Sequence, residues 1–155
     1  MIETESATTR KVLAAVPDDG SDYKPAEKCM TGAELAFHIA SVEVWFLDGL
    51  LKGEFVMSGD QPPALKPSES LAMYDTQVPG LVARLKGLTG EQLIKPTAFF
   101  TWTEPLVTYL AFYLNHSIHH RGQLSAYLRP MGSKVPSIYG GSADEPFQMP
   151  QEASA

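Results

Sequence analysis

A chain of 155 residues, 44% hydrophobic and 19% charged, is long enough to bury a real core and too apolar to stay unfolded. Its net charge of -6 leaves no basic footprint for nucleic acid, so no nucleic-acid partner is expected. No apolar run approaches the roughly 18 residues a membrane span needs, and the composition predicts one domain over residues 1–155.

Residues 3–16 read as a first helix. Ile2, Thr9, Val12, Leu13 and Val16 give a rough helical stripe, which Pro17 and the run Asp18, Asp19, Gly20 end. This opening stretch has no basic start followed by an apolar segment, so it is not read as a signal peptide. A polar loop follows to about Met30. It holds the single cysteine, Cys29, which excludes an intrachain disulfide and fits a reducing compartment, here the cytoplasm. With no histidine near it in sequence, Cys29 reads as an incidental thiol rather than a nucleophile.

The second helix is better marked. Thr31 and Glu34 form a capping-box pattern directly before an apolar run. Leu35, His38, Ile39, Val42, Trp45, Phe46, Gly49 and Leu50 recur at helical spacing, and Gly53 closes the helix. His38 therefore lies on the core face. Glu43 and Asp48 fall off that stripe and are expected to face solvent.

Residues 54–66, with Gly59, Pro62 and Pro63, form a long loop. A third helix starts near Pro67 or Ser68, carrying Leu71, Tyr74, Val78, Leu81, Val82 and Leu85. Pro79 and Gly80 inside it predict a kink or a break, because proline removes a backbone donor. Thr89 to Gln92 repeats the capping pattern over a short turn. Residues 95–103 read as extended or irregular, with Phe99, Phe100 and Trp102 covering one end of the molecule and Thr103 capping the next helix.

The longest helical pattern runs from Leu106 to Leu128. At about 100° per residue, Leu106, Tyr109, Leu110, Tyr113, Leu124, Tyr127 and Leu128 make one broad apolar stripe. His120 falls near its middle, His116 on its edge and His119 on the opposite flank. Residues four apart share a face, so His116 and His120 point inward together and two neutral imidazoles so placed can bind one divalent metal ion. Such a pair also arises by chance, and a histidine on an apolar face is often a hydrogen-bonded core residue. His38, inward-facing on the second helix, supplies the third nitrogen that a site needs. After Arg129 to Gly132 stop the helix, residues 130–155 are irregular apart from a possible helical turn over 145–151. The fold class is all-α: a four-helix bundle with a long connection between the second and third helices.

Asn115 to Leu124 read N-H-x-x-H-H-R-G-Q-L, and Pro136 to Glu145 read P-S-I-Y-G-x-S-A-D-E. With the stretch Ala33 to Leu51 and its one inward histidine, these segments resemble the DinB-like family, the DinB/YfiT superfamily. The resemblance spans nearly the whole chain. It implies an up-down-down-up bundle, often a homodimer, with a divalent metal, commonly nickel or zinc, on three histidines. Carried onto this chain, the ligands are His38, His116 and His120, and His119 has no ligand position. It also implies a weaker functional expectation: metal-dependent transferases or isomerases of small molecules that use a low-molecular-weight thiol such as bacillithiol, mycothiol or glutathione.

Three protein nitrogens leave a coordination position open, as catalytic sites do. The first expectation is thus a metal-dependent thiol transferase or related hydrolase. The second is a metal-binding module or sensor without catalysis, and the third a structural or interaction bundle with core histidines. Gln123, on the flank of His116, is either a supporting residue of the site or an ordinary polar neighbour. Arg121 and Tyr139 are read as structural rather than substrate contacts. Metal identity stays open, since three nitrogens suit zinc, nickel, iron and copper.

Overall fold

The computed structural model describes residues 1–57 and 63–147. Apolar side chains three and four apart drive four long helices: α1 (Ile2–Ala14), α2 (Gly32–Lys52), α3 (Pro67–Leu85) and α5 (Leu106–Leu128). A one-turn helix, α4 (Gly90–Leu93), and a hairpin of β1 (Pro96–Phe99) and β2 (Trp102–Pro105) separate α3 from α5. The molecule is mostly helical, as expected, but not purely so. The stretch read as extended or irregular is extended, an antiparallel ladder pairing Pro96 with Pro105 and Phe99 with Trp102.

The ends of α2 follow from its sequence. The Thr31 hydroxyl accepts from the Glu34 N–H at 3.1 Å, and the Glu34 carboxylate accepts from the Thr31 N–H at 2.8 Å. This reciprocal pair satisfies two donors the helix cannot. At the other end Gly53 takes φ +70, the left-handed conformation that costs a glycine little. One expectation of this kind fails. Thr103 lies in β2 and caps nothing. Pro105 precedes α5, and the Leu106 N–H donates to the Lys95 carbonyl at 3.1 Å instead. Nor does Pro79 break α3, which runs unbroken to Leu85. Pro79 and Gly80 both sit on the solvent side, while Val78 and Val82 anchor the helix in the core.

Around the bundle, α1 packs on α3 and α5, and α2 packs on the same two helices from the other side. Side-chain pairs give the directions. Lys86 meets Glu3, and Arg10 meets Asp75, each at 2.7 Å, while Asp18 accepts from Ser68. So α1 and α3 run oppositely. On the other pair, His38 lies against His120, Glu43 against Ser117 and Phe46 against Phe112, so α2 and α5 are also antiparallel. The core is built from Val12 and Leu13 of α1, Leu35, Ile39, Phe46, Leu47 and Leu50 of α2, Tyr74 and Val82 of α3, and Tyr113, Leu124 and Leu128 of α5. Each large side chain taken from water contributes about 1.5–3 kcal/mol before entropy is counted.

Of the three aromatics expected to cover one end, Phe99 alone is buried. It stacks on Phe46 and meets Phe55, Tyr109 and Phe112, whereas Phe100 and Trp102 are 65% and 59% exposed. Beyond α5 the chain is irregular through 147, and Asp144 pins it by accepting from Arg129 and from the Val135 N–H. The helical turn expected over 145–151 does not form at 145–147, and its remainder lies outside the described residues.

Candidate metal centre

Because α2 and α5 are antiparallel neighbours, the one inward histidine of α2 meets the two of α5. Ring centroids lie 4.6 Å apart for His38 and His120, 5.3 Å for His38 and His116, and 4.4 Å for His116 and His120. One nitrogen from each comes within 4.8 Å of the other two, and this is the one such group of metal-capable side chains among the described residues. His119, placed outward by the wheel, is exposed, with its ring 4.8 Å from that of His120. Among the described residues no carboxylate or thiol joins the three. Cys29 stays half-buried in the loop ahead of α2.

The electrostatics keep all three rings neutral. Burial, and then the neighbouring imidazoles, push His116 down to about 4. Burial and the His120 ring lower His38 as well. For His120 burial again dominates, against a hydrogen bond to Gln123 that works the other way. A neutral imidazole offers a lone pair, which is the form a metal needs.

Two further contacts fit the group to a metal ion. The buried His38 Nε2 has no hydrogen-bond partner. A polar atom buried unpaired costs about 1–3 kcal/mol, so a core role would leave that cost uncompensated. Meanwhile His120 Nδ1 donates to the Gln123 side-chain carbonyl at 3.1 Å, and the Gln123 amide donates to the Tyr127 hydroxyl at 3.3 Å. With Nδ1 carrying the proton, Nε2 is left with a free lone pair, the usual arrangement behind a metal-ligating histidine.

Behind the histidines lies a second polar group that the sequence reading misplaced. Glu43, expected at the surface, is 1% exposed. It accepts from Tyr74 at 2.7 Å, from Tyr113 at 3.0 Å and from Ser117 by a short hydrogen bond. Burial pushes its carboxyl up, and the hydroxyls of Ser117, Tyr74 and Tyr113 pull it back. Burial and the Glu43 charge in turn hold both tyrosines well above their ordinary range. Ser117 continues to Thr9 at 3.1 Å, and Thr9 accepts from Arg121 at 3.3 Å. Arg121, 1% exposed, ends the chain on Glu5 of α1 and on Tyr139 of the tail. Arg121 and Tyr139 are thus structural ties between α5, α1 and the tail. The signal for Glu43 was available. Ala36, Ile39, Ala40, Phe46, Leu47 and Leu50, its neighbours at three, four and seven residues, are all apolar. Asp48, expected in solvent like Glu43, is half-exposed and pairs with Lys52 at 2.6 Å.

A model of the DinB family matches residues 1–152. The uncharacterized protein YjoA of Bacillus subtilis strain 168 is 29% identical over 127 residues, which cover 80% of this chain and 82% of that protein. The uncharacterized protein YrdA of the same strain is 25% identical over 145 residues, covering 92% of this chain and 86% of its own. Among solved structures, a DinB-like protein from Bacillus cereus ATCC 10987 superposes with a TM-score of 0.76 at 25% identity, covering 88% of this chain and 92% of the other. The DinB-like YjoA structure gives 0.70 at 26% identity, with 86% and 91% covered.

Proposed function

The chain belongs to the DinB family, and from that membership and the geometry above we propose that His38, His116 and His120 hold one divalent transition-metal ion for chemistry on a small molecule. One observation carries the reading: three neutral imidazoles converge, and the buried nitrogen of one has no protein partner. Structural sites usually fill all four positions with protein ligands, whereas three leave room for an exchangeable one. We therefore read the centre as open and catalytic, and the class of reaction as transfer or isomerisation with a low-molecular-weight thiol as co-substrate. Nickel and zinc are the ions we expect.

A bound divalent ion would supply Lewis acidity, lowering the pKa of a coordinated thiol or water. The chain does the rest. Lowered pKa values mean that His38 and His116 have no proton to shed at neutral pH. Gln123 fixes the tautomer and tilt of His120. Phe46, with its ring 6.0 Å from that of His116, keeps water from that flank.

The test is thiol consumption by the metal-loaded protein against a panel of small electrophiles. The reading expects turnover that disappears in His116→Ala. A fully loaded protein with no turnover across the panel would favour a metal-binding module without catalysis.

A further inference from the structure

The histidine pair of α5 continues a line of side chains that enters a cleft. Residues four apart on a helix stack along one face, so Thr108, Phe112, His116 and His120 form a single ridge. Thr108 and Phe112 line a cleft of about 310 Å³, with Phe99, Trp102, Glu104 and Tyr109 as its other walls. Phe112 is four residues, just over one helical turn, from His116, about 6 Å along the axis. Its ring also lies 5.7 Å from that of Phe46, which in turn packs on His116. The partly exposed Phe112 thus stands between the cleft and His116, with buried Phe46 packed behind both.

The walls are built rather than incidental. Phe99 is buried, and Trp102 stacks on it at 6.2 Å with 21° between planes. Between them the hairpin turns at Phe100, whose φ of +54 lies in the left-handed region. A bulky side chain is strained in that conformation, and such strain collects at functional sites. Phe112 and Trp102 still keep 46% and 59% of their surface in water. Half-exposed rings around a concavity are what ligand sites present. The volume is at the low end of such sites, roughly 300–1,000 Å³, and suits one ring rather than a bulky cofactor. Glu104 is the one charged residue among the described residues that line it, in a chain of net charge -6. Its carboxylate disfavours an anion there.

We propose that this cleft binds the aromatic or apolar body of a neutral or cationic small-molecule substrate and presents its reacting end to the three-histidine centre. The inference rests on the metal reading above and specifies the substrate class of that site.

The test uses the full chain loaded with cobalt(II), followed by visible absorption during titration with imidazole and with 4-phenylimidazole. Both probes take the open position, and only the second carries a ring for the cleft. The expected result is about tenfold tighter binding of 4-phenylimidazole, the scale of one good aromatic contact. That ratio falls to about two in Phe112→Ala, or in Thr108→Trp, which fills the cleft. It holds in Val107→Ala, on the exposed side of α5. A carboxylate on the phenyl ring removes most of the advantage, and Glu104→Gln restores it. If imidazole and 4-phenylimidazole shift the spectrum with equal affinity, the cleft proposal is overturned and the metal reading survives. If neither shifts it, the reading of an open coordination position falls, and the cleft proposal with it. A dimer that Trp102→Ala splits, with no aryl advantage, would assign this face to a second copy of the chain and overturn the proposal.

Discussion

Glu43 gathers three hydroxyl donors where water does not reach; its removal strands Tyr113 and leaves Tyr74 and Ser117 only the Ser6 carbonyl and Thr9. Glu43→Ala is expected to cost roughly 3–5 kcal/mol, as breaking a buried polar network does. Glu43→Gln keeps the shape and an acceptor, and should cost no more than about 1.5 kcal/mol. Urea unfolding at pH 7 measures both, and equal losses would contradict the network's role. A second expectation concerns His116. Its folded pKa of about 4 lies below the ordinary 6.5, so the unfolded chain takes a proton first as pH falls. The contribution to stability is intact above pH 6.5 and is lost between there and about 4. Chelator-treated protein should therefore lose melting temperature across that window, and His116→Gln should lose less. At this scale the sequence was most informative for the histidines, because four-residue spacing sets a face without any tertiary knowledge. Glu43 was misread for a physical reason. Since α2 packs on both α3 and α5, it is buried over more than one stripe, and a wheel drawn around a single stripe places its flank in solvent.

Elements obey their local signals where those signals stand alone. The capping boxes at Thr31 and Thr89 and the stop at Gly53 lie where their residues put them. The hairpin did not declare itself. Its strands have four residues each, and its turn uses Phe100 where a glycine would mark one. Thr103 looked like a cap because Leu106 was known to begin a helix, but pairing with Ala98 draws it into the ladder. In α3, packing of Val78 and Val82 outweighs the hydrogen bond lost at Pro79. Gly80 beside it faces open space, so a side chain there meets nothing. Gly80→Ala should stabilise the protein by about 0.5–1 kcal/mol through helix propensity. An unchanged or lower denaturation midpoint would mean that the Pro79 turn needs glycine's freedom.

In the whole molecule, the histidines join α2 to α5, and the Glu43 to Arg121 chain ties both to α1 and the tail. A metal on the three rings would therefore brace the bundle across the helix pair that carries the site. Ligand bound only by the folded chain stabilises it by about 2.7 kcal/mol at a hundred times its dissociation constant. For a domain of this size that is a rise of roughly 5–10 °C in melting temperature. The family was legible from its motifs, and the helical architecture and the convergence of three histidines from residue spacing. The aromatic cleft was not, since it needs the hairpin folded against α5.

The central claim is that His38, His116 and His120 bind one transition-metal ion. Metal content by plasma mass spectrometry, on protein purified without a histidine tag and beside the His116→Ala/His120→Ala variant, tests it most directly. The account predicts close to one equivalent of a single transition metal in the native chain and a trace in the variant. Equal, negligible metal in both, with no rise in melting temperature on adding zinc or nickel, would contradict it and leave the three histidines as core residues.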